Sequence, residues 1–172
     1  MGEATSERSD DATRKVLRAL EGDARRTVAQ VATMAGIAED EAAAIVARCE
    51  RDGIIRGYRT VIAWDRAREE TVVAFIDVSV SPQRDVGFDQ VAARIYRHRE
   101  VRSVHLVSGG HDLRVIVEGP TIREVAAFVA EKLASIDHVT ATNTHFMLKA
   151  YKEEGQILVD DVVDDDRLAV TP

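Results

Sequence analysis

The spacing of hydrophobic residues changes near the middle of the chain and divides the sequence into two parts. Between residues 11 and 52, apolar residues recur three and four positions apart, as Ala42, Ile45 and Cys49 do, and this spacing places them on one face of a helix. Between residues 71 and 148, alternating runs such as residues 76–80 separate further helical stripes. Because such alternation is typical of a strand with one solvent-exposed face, the change predicts two domains of different architecture.

Three helices are predicted in the first part from the residues at their ends. Gly22 is expected to end the first helix, since glycine tolerates the left-handed conformation that follows a last helical turn. Thr27 and Gln30 form a capping box for a short second helix, which ends at Gly36. A third helix begins near Glu39. Two short helices around a glycine turn resemble a helix-turn-helix.

The second part predicts the order strand, helix, strand, strand, helix, strand, which is that of a ferredoxin-like sheet with both helices on one face. Residues 108–111 have the composition of a hairpin turn between the second and third strands. Thr121 and Glu124 predict a second capping box, followed by a buried stripe that begins at Ile122. The predicted fold class is therefore α+β, with an N-terminal winged-helix-like helix-turn-helix domain joined to a C-terminal ferredoxin-like βαββαβ domain.

An isolated sheet of this kind leaves one face bare, so a partner is expected to cover it. Five apolar residues are candidates for that contact: Phe75, Val101, Val107, Ile116 and Phe146. The predicted segments are a disordered leader at residues 1–10, a helix-turn-helix domain at 11–57, an extended linker arm at 58–70, the βαββαβ domain at 71–150 and an acidic tail at 151–172, in which residues 157–163 could add an edge strand.

Charge and composition narrow the class of protein. Hydrophobic residues make up 45% of the 172 residues, which excludes wholesale disorder. The net charge of −7 lies mainly in residues 1–10 and 153–172, so the near-neutral body argues neither for nor against nucleic acid. No apolar run approaches the roughly 20 residues of a membrane helix, and the single cysteine, Cys49, favours a reducing cytoplasm.

Three stretches together point to a known family: Gly53-Ile54-Ile55-Arg56-Gly57-Tyr58, Val107-Ser108-Gly109-Gly110-His111-Asp112 and Thr142-Asn143-Thr144. Over roughly residues 11–150 the chain resembles the Lrp/AsnC family of feast/famine transcription regulators. The resemblance implies a RAM-type second domain that dimerises, assembles further to tetramers or octamers, and binds small effectors, usually amino acids, between sheets. It also implies double-stranded DNA as a partner, and neither enzymatic activity nor a metal or cofactor.

The third helix is then the candidate recognition helix, with a basic rim around it. The expected DNA-binding residues are Arg25, Arg26, Thr27, Asp40, Ala43, Ala44, Ala47, Arg48, Arg51 and Arg56. This helix departs from the family pattern, because Ala38 stands where a capping hydroxyl is usual and three acids, residues 39–41, follow it. The acids suit the positive end of the helix dipole but repel phosphates, unless they accept hydrogen bonds from cytosine. A metabolite-sensing module without autonomous DNA binding is therefore the alternative.

The turn at 109–112 is the candidate effector site, although two glycines in a hairpin turn need no ligand. The amides of Gly109 and Gly110 could hold the carboxylate of an amino acid, and Asp112 could hold its ammonium group. The expected effector-binding residues are Gly109, Gly110, His111, Asp112 and, from an adjoining subunit, Thr142 and Thr144.

Histidines raise the question of an enzyme or a metal site. His105, His111 and His145 match no compact zinc spacing. A minority of Lrp-like folds act as sirohaem decarboxylases, which is the remote enzymatic alternative. The acidic tail is most simply a solvated end, and the alternative is a segment that competes with DNA for the basic rim.

Overall fold

The computed structural model describes residues 2–67, 71–81 and 87–160. The chain divides into two compact units, Met1–Thr60 and Val61–Pro172. The first unit is helical, and the second contains the four-stranded sheet.

The helical unit consists of α1 (Gly2–Gly22), α2 (Val28–Ala35) and α3 (Glu39–Arg51). Each helix contributes one apolar stripe to a shared core, whose buried members are Ala12, Val16, Ala19, Val31, Ala35, Ile45 and Cys49. α1 begins at Gly2 and so includes residues 2–10, which the sequence pattern assigned to a leader. No glycine or proline interrupts residues 3–21, so nothing in this segment stops a helix that the core stabilises further along.

The helix ends confirm the local predictions for α2. The Thr27 hydroxyl accepts a hydrogen bond from the Gln30 amide at 3.3 Å, and the Thr27 amide donates to Gln30 Oε1 at 2.9 Å. Gly36 ends the helix with a φ of 70°, a conformation that glycine adopts without a steric penalty. At the start of α3, Ala38 provides no side-chain cap, and three acids occupy the first turn.

The second unit begins with a short helix, α4 (Trp64–Ala67), and continues with the βαββαβ order that the sequence predicts. Its elements are β1 (Val72–Val80), α5 (Phe88–Ile95), β2 (Val101–Leu106), β3 (Leu113–Gly119), α6 (Ile122–Phe128), a π-helical turn (Val129–Leu133) and β4 (Val139–Phe146). The strand order is β2-β3-β1-β4, and all neighbours are antiparallel. The predicted α+β fold class is confirmed.

The strands alternate between two faces. On the helix-covered face, Ile76, Val78 and Val115 pack with α5 and α6 side chains such as Ile95 and Phe128. The opposite face, here called the open face, carries the intervening residues of β1 and β3: Phe75, Asp77, Ser79, Arg114 and Ile116. This follows from the two-residue period of a strand.

The pairing register corrects part of the predicted partner surface. Phe75 and Ile116 are paired across β1 and β3 and lie on the open face as expected. Val101 and Phe146 instead pack against the core on the helix-covered face. Phe146 does so because it pairs with Ala74, which is itself part of that core.

Two predictions around α6 and the C-terminal segment also change. Ile122, predicted to be buried, is 58% exposed. In the capping box, the Thr121 hydroxyl accepts from the Glu124 amide as predicted (3.1 Å), but the Glu124 carboxylate accepts from the Thr121 hydroxyl (3.2 Å). Residues 157–160 do not extend the four-stranded sheet. A separate hairpin forms from β5 (Lys152–Glu153) and β6 (Gln156–Ile157), and residues 161–163 of the predicted edge strand lie outside the described residues.

Candidate functional site

The outer face of α3 is a small-residue surface bordered by arginines. Ala43 and Ala44 are exposed and Ala47 is half-buried, so this surface can approach another macromolecule closely. Arg48 and Arg51 lie on the last turns of the helix and are exposed. The Arg48 guanidinium donates to the Thr13 hydroxyl at 2.9 Å. The outer face of α3 therefore has alanines at its centre and cations at one end.

Of the three predicted DNA-binding residues before α2, two make contacts within the helical unit and one is exposed. Arg26 is half-buried and its guanidinium donates to the Ala19 carbonyl near the end of α1. Thr27 is the N-cap of α2. Arg25 is exposed, so its cationic side chain faces solvent near the start of α2.

Acids surround the start of α3. Glu39, Asp40 and Glu41 are all exposed, and Asp40 Oδ1 accepts a hydrogen bond from the Glu41 amide at 2.9 Å. Since Ala38 caps no amide, negative charge in this turn stabilises the helix end through the dipole. Stabilisation of the helix end is therefore sufficient to explain why acids occupy the first turn of α3.

A basic cavity lies between α1 and the residues that follow α3. It has a volume of about 580 Å³, and its lining includes Arg14, Arg18, Arg56 and Arg59. Of these, Arg56 belongs to the predicted DNA-binding set, whereas Arg14 and Arg18 were missed. The i, i+4 spacing of these two arginines on α1 is the sequence signal that could have placed them together.

A hydrogen bond joins α3 to the segment after it. The Tyr58 hydroxyl donates to Glu50 Oε1 at 2.8 Å, and this bond to a carboxylate raises the pKa of Tyr58 above its ordinary value. The bond therefore fastens the segment that carries Arg56 and Arg59 beside the third helix.

A second cavity, of about 600 Å³, lies at one end of the open face of the sheet, beneath the β2–β3 turn. Its lining residues are Asp77, Leu106, Val107, Ser108, Gly109, Gly110, His111 and Arg114. Gly109 has a φ of 149°, which a residue with a side chain rarely adopts. The two predicted glycines and His111 thus line one cavity.

Two charged residues that the sequence prediction missed lie in this cavity. Asp77 of β1 is only 6% exposed. Its Oδ1 accepts a hydrogen bond from Arg114 Nε at 2.9 Å and lies 2.8 Å from Arg114 Nη2 in an ion pair. The Arg114 side chain is 52% exposed. His145 Nε2 lies 3.7 Å from the other carboxylate oxygen of Asp77. The single charged residue in strand β1 was the available sequence signal.

The remaining predicted effector residues lie outside the cavity lining. Asp112 Oδ2 accepts from the Val80 amide at 2.8 Å, so this carboxylate fastens the turn to β1. Thr142 and Thr144 pair with Val78 and Ile76, which places the threonines on the helix-covered face. The open face receives the residues next to them in β4, Asn143 and His145.

Neither a metal cluster nor a membrane span is found in the described part of the chain. Residues 2–67, 71–81 and 87–160 contain no group of three or more His, Cys, Asp or Glu side chains arranged to hold a metal ion. Over the same residues, no helix is long and apolar enough to cross a membrane.

Comparisons with known proteins identify both units. Residues 9–56 match a family model described as winged helix-turn-helix DNA-binding, and residues 73–157 match the Lrp/AsnC ligand binding domain. The HTH-type transcriptional regulator YugG of Bacillus subtilis (strain 168), itself described as uncharacterized, is 42% identical over 159 residues, which are 92% of this chain and 95% of the relative. The chain belongs to the Lrp/AsnC family.

Two further proteins show the breadth of the similarity of this Lrp/AsnC chain. The Leucine-responsive regulatory protein of Rhizobium meliloti (strain 1021) is 29% identical over 143 residues, which are 83% of this chain and 88% of the relative. The crystal structure of MtbAldR superposes with a TM-score of 0.71 and 25% identity, and covers 83% of this chain and 95% of that one. The chain is a DNA-binding transcriptional regulator.

Proposed function

We propose that this regulator contacts DNA through the outer face of α3 and the arginines around it, and that a small effector, an amino acid, binds in the cavity beneath the β2–β3 turn. Effector binding alters the arrangement of a homo-oligomer and thereby the affinity for DNA. The regulator acts in the cytoplasm and has no catalytic role. The observation that carries the proposal is the cavity itself, in which Gly109 and Gly110 lie beside a fixed guanidinium on an open sheet face.

The α3 surface has the chemistry that DNA contact requires. Alanine side chains such as Ala43 and Ala44 can make apolar contacts with thymine methyl groups. Arginines such as Arg48 and Arg51 can neutralise phosphates and position the helix. Asp40 can accept a hydrogen bond from cytosine N4, which gives the acidic first turn a role compatible with DNA.

The effector site has the donors that a carboxylate requires. Amides in a glycine turn and a guanidinium are both good partners for an anion. A Leucine-responsive relative and a match to a ligand binding domain support an amino acid as the effector class. Phe75 and Ile116, paired on the open face, provide apolar surface for contact with a second subunit.

Selection of sheared genomic DNA by the purified protein, with and without a mixture of amino acids, tests the proposal. We expect discrete enriched sites that change with the mixture. Arg51→Gln should lower DNA affinity, and it should reduce the slope of log affinity against log salt concentration by about one. The matched control is Arg123→Gln, which alters an exposed arginine of α6 in the sheet unit.

The alternative function, a metabolite sensor without autonomous DNA binding, predicts a different outcome. Replacement of Glu39, Asp40 and Glu41 by glutamine should then create affinity that the parent chain lacks. If these acids read bases, the same variant should instead lose sequence preference. An enzymatic role related to sirohaem predicts a visible absorption change on addition of sirohaem, and we expect none.

A further inference from the structure

Arg114 is held in a fixed orientation at the floor of the effector cavity. Its Nε donates to Oδ1 of Asp77, its Nη2 lies 2.8 Å from the same oxygen in the ion pair, and Asp77 is almost fully buried. A hydrogen bond and a second close contact to one buried carboxylate oxygen restrict the rotation of the guanidinium plane. The half-exposed side chain therefore presents its remaining donors, including Nη1, in a defined direction.

The cavity lining favours an anionic ligand through its hydrogen-bond donors, because its one carboxylate and its one guanidinium pair with each other. The lining contains one carboxylate, Asp77, which Arg114 already neutralises, and no second acid. Asp112, the residue that could otherwise attract an ammonium group, is bonded to the Val80 amide. His111 Nδ1 already pairs with Ser79 Oγ at 3.3 Å. The donors left to meet a ligand are therefore the amides of Gly109 and Gly110 and the outer edge of Arg114.

We propose that the cavity selects small dicarboxylates, either an acidic amino acid or the 2-oxo acid of the same length. One carboxylate binds the amides of Gly109 and Gly110, and the second pairs with the free edge of Arg114, while Asp77 acts as a positioning residue. The inference rests on the proposed effector site and specifies its ligand class. A cavity of about 600 Å³ lies within the usual size range of small-molecule sites.

Isothermal titration of the full chain tests this assignment with matched ligand pairs. The probes are L-glutamate and L-aspartate, their neutral amides L-glutamine and L-asparagine, L-leucine, and 2-oxoglutarate. We expect at least one acid to bind about tenfold or more tightly than its amide, since a charged hydrogen bond is lost with the neutral group. The comparison of glutamate with 2-oxoglutarate separates the two sources of the dicarboxylate.

Arg114→Gln is the decisive variant, and Arg102→Gln is its control. Arg102 is also an ion-paired arginine of the sheet, 3.0 Å from Glu118, but it does not line the cavity. Arg114→Gln should reduce the acid-to-amide preference to within about twofold, whereas Arg102→Gln should keep it. Because the readout is a ratio of two affinities in one protein, a general loss of stability does not imitate it.

Three outcomes would overturn the inference. Equal binding of acids and amides, or tighter binding of L-leucine, would reject the dicarboxylate class and leave the effector cavity intact. An unchanged preference in Arg114→Gln would reject the role of Arg114. Absence of binding by every probe would reject the dicarboxylate inference, while the DNA selection with and without the amino-acid mixture separately decides the proposed function.

Discussion

The two faces of the four-stranded sheet are made by alternate residues of the same strands, yet their chemistry is opposite. Ile76 is fully buried among apolar side chains of the helix-covered face, whereas its neighbour Asp77 is buried on the open face against Arg114. The apolar side chains of the first face are covered by helices of the same chain. The second face contains an ion pair, a cavity and a half-buried aromatic side chain, all of which can engage a further molecule.

The comparison shows how one strand can carry both stability and function. The helix-covered face contributes to stability mainly through the burial of apolar side chains, and loss of side-chain volume from such a close-packed core is destabilising. A buried charge contributes only while its partner is present, because desolvation offsets most of the Coulomb attraction. The helix-covered face should therefore dominate folding, and the open face should dominate recognition.

The largest predicted loss of stability follows from removing a buried side chain on the helix-covered face, which leaves a cavity. Ile76→Ala should lower the free energy of unfolding by about 2–5 kcal/mol, measured by urea denaturation. The matched control is Ile122→Ala, which removes the same atoms from an exposed position on α6 and should change stability by less than about 0.5 kcal/mol. Similar losses in both variants would show that the helix-covered face is not the core.

A smaller effect is predicted for the ion pair of the open face. Arg114→Gln leaves the Asp77 carboxylate buried without its guanidinium, which should destabilise the protein by about 1–3 kcal/mol. In the double variant with Asp77→Asn, part of this loss should be recovered because the uncompensated charge is gone. If the double variant is as unstable as Arg114→Gln alone, the unpaired carboxylate of Asp77 is not the cause of the destabilisation.

The smallest effect is predicted for an ion pair beside the helix-covered face. Lys132 Nζ donates to Glu100 Oε1 at 2.7 Å, and this bond lowers the pKa of Glu100. Lys132→Gln should cost about 0.5–1 kcal/mol at pH 7, because the lysine remains half-exposed to solvent.

The direction of this pKa shift fixes the pH dependence. A carboxyl group with a lowered pKa stabilises the folded state above the ordinary glutamate value of about 4.3, and the contribution is lost as the pH falls below it. The stability difference between Lys132→Gln and the parent chain should therefore shrink toward zero at acidic pH. A difference that stays constant from pH 7 to pH 3 would show that Glu100 is not stabilised by Lys132.

Local signals in the sequence were sufficient for the elements of the fold. The capping box at Thr27 and Gln30 and the left-handed Gly36 concern neighbouring residues, so their geometry could be predicted without knowledge of the rest of the chain. The order of strands and helices then restricted the topology to a ferredoxin-like sheet. The same reasoning misplaced the start of α1, because no strong local signal opposes a helix in residues 3–21.

The lining of the proposed effector cavity was predictable only in part. The glycine turn is a contiguous segment, so Gly109, Gly110 and His111 could be identified together from the sequence. Thr142 and Thr144 were attractive as hydroxyl donors, but the face to which they point depends on the register of β4 against β1. A shift of one residue along a strand moves every side chain to the other face.

By itself the sequence determined the three helices of the first unit, the βαββαβ order of the second and the family, because periodicity, caps and contiguous motifs are properties of neighbouring residues. Only the tertiary structure decided that Asp77 of β1 meets Arg114 of β3, 37 positions away, on the face that the helices leave open. The physical reason is that antiparallel register, and not sequence spacing, sets which side chains lie opposite each other. The proposed ligand class depends on that pairing.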